Sequence, residues 1–248
     1  MILPLAASGP VIPSFGGGAQ AHACEVANHL FCSDWVSQNW GTVLWPALRQ
    51  HVVLTVISVA FGFVISTVAA LLAYRRRWVE RPVLVVTSIL YTIPSLALFE
   101  LLTPVPGFGL SRTTALVALI SYTLLIMFRN TLTGLREVPG EVREAAQGMG
   151  MKPLQSLLRV EIPLALPAII AGSASGISTV TVISLATVAV VVDNEGLGVP
   201  ILSAINDAVF KTELIAAGAM AVALALAADG LLVVAQRLVT PWARSRAA

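Results

Sequence analysis

From Pro167 to Val192 the chain runs 26 residues without one charged side chain, longer than the roughly 20 apolar residues a helix needs to cross a bilayer. Four further stretches are nearly as apolar: Leu48 to Tyr74, Pro82 to Leu102, Thr113 to Phe128 and Glu213 to Gln236. A single core built from 248 residues cannot hide that much aliphatic surface from water. Only 11% of the residues are charged, against roughly 25% in a soluble domain. The sequence therefore predicts an all-α, polytopic membrane protein with five transmembrane helices, the third of them short unless it runs on past Arg129.

Orientation follows from where the basic residues fall. With the N-terminus outside, 12 of the 15 Lys and Arg residues lie on the cytoplasmic side, and only Arg49, Arg112 and Lys211 lie outside. Basic short loops are retained on that side, so an external N-terminus and an internal C-terminus are expected. Residues 1–47 read as an external leader and 243–248 as a cytoplasmic tail. The leader has no Lys or Arg, and Pro4, Pro10 and Pro13 interrupt its apolar runs, so a cleaved signal peptide is not expected. It holds both cysteines, Cys24 and Cys32, which fit either a bridge in an oxidising compartment or two unpaired thiols. Trp35, Trp40 and Trp45 suit an aromatic belt at the outer interface.

Inside the spans, Pro94 followed by Ser95 predicts a bend, because a helical proline removes a backbone hydrogen bond. That bend serves either packing or the shape of a central pathway. Gly172 and Gly176 form a GxxxG pattern suited to close helix contact, within the chain or with a second copy. Asp229 is the one carboxyl placed deep in a span, about two turns from the end of the fifth. Glu100 and Arg129 lie near span ends and reach the interface.

The polar segment between spans three and four is the most informative. Pro139 opens a short helix, Gly148 and Gly150 close it, and Pro153 opens a second. Arg143, Glu144, Gln155 and Arg159 mark polar faces, and Val142, Ala145, Ala146 and Met149 make an apolar strip. Such a segment suits a groove on a partner protein.

Glu144-Ala145-Ala146, then Gly150 four positions on, then Val160-Glu161-Ile162-Pro163 resembles the EAA motif of ABC importer permeases. Val160 and Ile162 stand where that motif has Ile and Leu. The stretches 92–98 and 129–135, and Gly196-Leu197-Gly198 with Pro200, are similar to the osmoprotectant branch, which imports glycine betaine, carnitine, choline or proline betaine. The resemblance spans roughly Trp40 to Trp242. It departs at Asp193-Asn194-Glu195, where that branch has small residues; two acids there would either favour cations or simply form a solvated loop.

The resemblance implies a permease domain over 48–242, with a coupling loop at 134–163 carrying Glu144, Ala145, Ala146, Gly150, Ile162 and Pro163. It implies a bacterial cytoplasmic membrane, an ATP-binding subunit dimer that holds ATP and magnesium, an extracytoplasmic substrate-binding protein, and a second permease copy or a related permease. It implies no catalytic residue, cofactor or metal on this chain, and no nucleic-acid partner. The residues agree on one point independently. A phosphate-binding G-x-x-x-x-G-K-[ST] loop needs Lys after Gly, and the two lysines follow Met151 and Phe210. A methionine-type amino-acid importer is the alternative within this plan, and a stand-alone secondary carrier the alternative outside it.

Overall fold

The structure is a computed structural model that describes residues 28–174, 186, 188–206 and 209–239. Every regular element among these residues is helical. A short helix α1 (Ser33–Asn39) passes through a π turn (Trp40–Leu44) into α2 (Trp45–Arg75), and Pro46, which has no N–H to give the helical ladder, follows directly on that π turn. After α3 (Arg77–Thr92), α4 (Ser95–Leu102) and α5 (Arg112–Arg136) come α6 (Gly140–Gly148) and α7 (Pro153–Ser156). A second π turn (Leu157–Glu161) leads into α8 (Ile162–Ala174). The chain closes with α9 (Val190–Asp193), α10 (Gly198–Asn206) and α11 (Lys211–Val239).

The side-chain pattern of α2 is inverted relative to a soluble helix. Its inward stripe is small or polar, with Ser58, Gly62, Ser66, Ala70 and Ala73 buried, while Phe61, Val64, Val68 and Leu72 point outward. In lipid there is no premium on hiding large apolar groups, so close approach of small residues drives packing instead. A Cβ added at Gly62 would overlap Thr123 Oγ1 on α5, and one added at Gly134 would lie 3.1 Å from Ala168 of α8. The central helix α5 thus crosses two neighbours at positions where bulk is excluded. Its start is capped by Ser111, whose hydroxyl accepts from the Thr114 N–H at 3.5 Å.

Among the described residues, four helical segments are long and apolar enough to span a membrane, and a bent pair brings the number to five. The boundaries differ from the sequence reading in four places. The first span begins at Ser33 rather than Leu48, because the short α1 is continuous with it. The third runs to Arg136, well past Arg129. Helix α7 is the first turn of the fourth span instead of a separate short helix, and Pro167 lies inside α8 rather than at its start. Lastly, the second span is broken: α3 and α4 meet at 103°. Ile93 and Pro94 are extended, and the Ile93 carbonyl accepts from the Tyr122 hydroxyl at 2.5 Å. A proline expected to bend one helix ends it instead, because α5 supplies the hydrogen bond that the backbone gives up.

Trp35 is not part of an exposed belt. It is buried against Phe210 with ring centroids 5.3 Å apart, together with Cys32, Leu44 and Ala216, whereas Trp40 and Trp45 are exposed. Cys32 is disulfide-bonded; Cys24 lies outside the described residues.

Candidate functional site

The loop after α5 owes its shape to one glycine. Helix α6 ends as the N–H groups of Met149, Gly150 and Met151 bond back to Ala145, Gln147 and Ala146 at 3.0, 2.9 and 3.1 Å. Gly150 takes φ +80, the left-handed conformation that closes a helix most cheaply in glycine. Of the motif residues, Glu144, Ala145 and Gly150 face outward, Ala146 is buried, and Ile162 and Pro163 are half-buried. Ile162 packs on the cluster of Leu135, Val138, Leu157, Ala165 and Ile169. Of the apolar strip suited to a partner's groove, Ala145 and Met149 are exposed, Val142 is half-buried and Ala146 is buried.

Beneath this loop a polar chain ties three elements together. Arg143 of α6 donates to the Tyr74 hydroxyl at 3.0 Å, and Tyr74 at the end of α2 donates to Glu161 Oε2 at 2.6 Å. Ser156 donates to Glu161 Oε1 at 3.0 Å, and the second Arg143 nitrogen donates to the Val138 carbonyl at 3.2 Å. Glu161 is 6% exposed, so this satisfied network in a low-dielectric setting holds α6 to both α2 and α8. Arg75 donates to the Pro153 carbonyl at 2.6 Å, and Arg136 grips both oxygens of Glu80 at 2.9 and 2.6 Å. Sequence reasoning missed Tyr74, Ser156 and Glu161. Glu161 occupies a variable position of the motif, and its partner Tyr74 lies 87 residues away. A carboxyl at the start of an apolar span was the only signal available.

At the far end of α5 the groups are held loosely. Gly196 adopts φ +82 and its N–H reaches Gln50 Oε1 at 3.3 Å, while the Leu197 N–H donates to Nδ1 of the fully buried His51 at 3.4 Å. Arg112 lies 3.8 Å from Glu195. Asp193 Oδ2 is buried without a hydrogen-bond partner among the described residues. Burial first, and the neighbouring Glu195 second, push the Asp193 carboxyl up to about 6, against the opposing pull of Arg112.

The remaining sequence-predicted residues do not converge on one point. Pro94 is exposed at the α3–α4 break and Ser95 is half-buried beside it. Gly172 belongs to α8, but its surroundings, like Gly176 altogether, lie outside the described residues. Asp229 is half-buried on α11, with no hydrogen bond or ion pair to any described residue, so the deep carboxyl predicted from sequence sits on a peripheral helix. Glu100 and Arg129 are exposed.

An all-helical bundle with a broken second span and a helical loop projecting from one end defines a membrane transport subunit. Residues 50–245 match the family described as binding-protein-dependent transport system inner membrane component, and the chain belongs to it as a permease subunit of an ABC importer. The choline transport system permease protein OpuBB of Bacillus subtilis is 33% identical over 86% of this chain and 95% of its own length. The osmoprotectant import permease protein OsmW of Salmonella typhimurium is 37% identical over 77% and 89%. An inward-facing structure of the MetNI methionine ABC transporter shares the fold, with a TM-score of 0.69 at 22% identity, covering 84% of this chain and 100% of that one.

Proposed function

We propose that this chain forms the translocation pathway of an importer for an osmoprotectant such as glycine betaine, carnitine, choline or proline betaine, in a bacterial cytoplasmic membrane. The identities with permeases named for choline and osmoprotectants support the substrate class. In this reading the α3–α4 pair counts as one crossing, giving five, with the N-terminus outside and the arginine-rich end inside. Pro94 and Ser95 at the break border the pathway, and Gly172, Gly176 and Asp229 serve helix packing.

The observation that carries the coupling role is the uncovered face of α6 and α7. Glu144, Ala145, Met149 and Gly150 are all exposed, as are Leu154 of α7 and Leu158 of the π turn after it, and the apolar ones suit a partner's groove. The partner is an ATP-binding subunit dimer, which holds ATP and magnesium and does the hydrolysis. An extracytoplasmic binding protein delivers the solute, and a second permease copy, identical or related, completes the pathway. When the ATPase pair closes it displaces α6. The Arg143–Tyr74–Glu161 chain carries that displacement to α2 and α8, and packed helices with two arrangements convert it into opening at one end or the other.

Glu144→Lys and Gly150→Pro in the assembled transporter test this. Expected are loss of ATPase copurification and at least about a tenfold fall in ATP-driven glycine betaine uptake, the loss of an interface of more than about 1.4 kcal/mol. Intact association and uptake in both variants would give the loop another role. Methionine uptake in place of betaine uptake by the unaltered complex would replace the substrate class.

A further inference from the structure

A cavity of about 520 Å³ opens between the α2–α3 elbow, the end of α5 and the α6–α7 loop. Its walls carry four guanidinium groups, those of Arg75, Arg77, Arg136 and Arg143, against one carboxyl, Glu161. Glu161 is already engaged by Tyr74 and Ser156. Each arginine has five N–H donors, yet Arg143 and Arg136 commit two each, and Arg75 one. Arg77 makes no hydrogen bond or ion pair to any described residue. The cavity is therefore a concave cationic site with donors to spare, and planar guanidinium forks match a phosphate oxyanion well.

Its surroundings indicate what carries the phosphate. Trp78, next to Arg77, is 71% exposed, as suits an indole at the headgroup layer. On the same face of α3, at 7, 8 and 11 residues further on, Val85, Val86 and Ile89 are also exposed. A second cavity, of about 300 Å³ and lined by Ile65, Ala69, Val83, Val86 and Phe128 among others, lies between the same three helices α2, α3 and α5. Its residues stand five to twelve positions along those helices from Tyr74, Arg77 and Arg136. At 1.5 Å per residue this is about 8–18 Å deeper, beyond the headgroup layer of roughly 5–8 Å and into hydrocarbon. An oxyanion site above an apolar groove on shared helices has the chemical order of a phospholipid, and basic pockets between spans take anionic headgroups.

We propose that the arginine cavity at the α2–α3 elbow binds the phosphate of an anionic membrane phospholipid, whose acyl region lies against the apolar groove and outer face of α3. The excess of cations disfavours lipids with an ammonium headgroup, so the site selects for net negative charge. The bound phosphate would bridge the elbow and the loop that carries Glu144, since both line the cavity. The site requires the chain to be membrane-embedded but not any particular solute.

The test uses the full-length chain in nanodiscs of equimolar phosphatidylglycerol and phosphatidylcholine, with lipid retained after detergent extraction measured by mass spectrometry. Phosphatidylglycerol should be enriched about fivefold, falling to about twofold in Arg77→Gln and to parity in Arg77→Glu. Acidic residues are favourable in a first helical turn, so the Arg77→Glu chain should fold, and an unchanged unfolding temperature checks it. Arg159→Gln, outside the cavity, should leave the ratio unchanged. Retained enrichment in Arg77→Glu overturns the proposal. So does displacement of the lipid by millimolar inorganic phosphate, which would assign the site to a soluble anion. Unchanged lipid ratios with lost ATPase copurification would assign it to a protein contact instead. Because lipid retention is read on the permease alone, it stands or falls separately from the coupling role and the solute.

Discussion

Two ion pairs at opposite ends of one helix are made from the same residue types and held very differently. At the end of α5, Arg136 meets both oxygens of Glu80 at 2.9 and 2.6 Å, whereas at its start Arg112 comes only within 3.8 Å of Glu195. The contrast extends around each. At the arginine-rich end the carboxyl of Glu161 is met on both oxygens by Tyr74 and Ser156, with Arg143 joined through Tyr74, while at the other end a buried Asp193 oxygen has no partner among the described residues. A satisfied network resists deformation, as a lever arm must. An unsatisfied one gains by rearranging.

The sharpest way to break this comparison is to remove the centre of the satisfied network. Glu161→Ala leaves the Tyr74 and Ser156 hydroxyls without their acceptor and should cost about 2–3 kcal/mol, read as a lower unfolding temperature in detergent together with lost uptake. Glu161→Gln keeps one acceptor and should cost about 1 kcal/mol. Equal tolerance of Glu161→Ala and of a change at Asp193 would erase the difference between the ends.

The two ends also offer a matched pair of glycines, Gly150 at φ +80 and Gly196 at φ +82. An added Cβ meets nothing within 4 Å at Gly150 but lies 3.2 Å from His51 Nδ1 at Gly196. Gly150→Ala should therefore cost only the left-handed penalty of about 1–2 kcal/mol, and Gly196→Ala measurably more by the same unfolding measurement. Transport should rank the opposite way if Gly150 shapes the coupling surface.

A smaller effect is expected from pH. The folded Asp193 carboxyl holds its proton up to about 6, against an ordinary value of 3.8. Between these values the native state binds more protons than the unfolded one, so stability should fall as pH rises through that window and level off above it. Asp193→Asn should flatten this slope in a pH series of unfolding temperatures; an unchanged slope would assign it to another group. Smallest of all, double-mutant cycles should give about 0.5–1 kcal/mol for Arg136 with Glu80, and close to zero for Arg112 with Glu195.

How far the sequence could be read depended on the range of the interaction concerned. The turn at Gly148 to Gly150 was legible because a left-handed glycine and a following proline act on their own neighbours. Pro94 was legible as an interruption but not as a 103° break, since the size of the break depends on Tyr122 of another helix. The apolar strip of α6 was legible as a stripe, but the burial of Ala146 within it was not, because helical spacing does not say where the supporting bundle ends. The close helix crossings were sought at Gly172 and Gly176. The described ones are at Gly62 and Gly134, outside any GxxxG pattern.

The sequence by itself determined that the chain is helical and membrane-bound, which segments are apolar, where the basic residues cluster and which loop bears the family motif. These are properties of continuous stretches, and a helix closes its hydrogen bonds within four residues. Only the tertiary structure decided which helix faces meet, that Glu161 would find Tyr74, and that four arginines would share one cavity. In lipid a large apolar side chain is equally at home inside or outside, so hydrophobicity does not say which face turns inward. Shape and a few buried hydrogen bonds make that choice, and both belong to several helices at once.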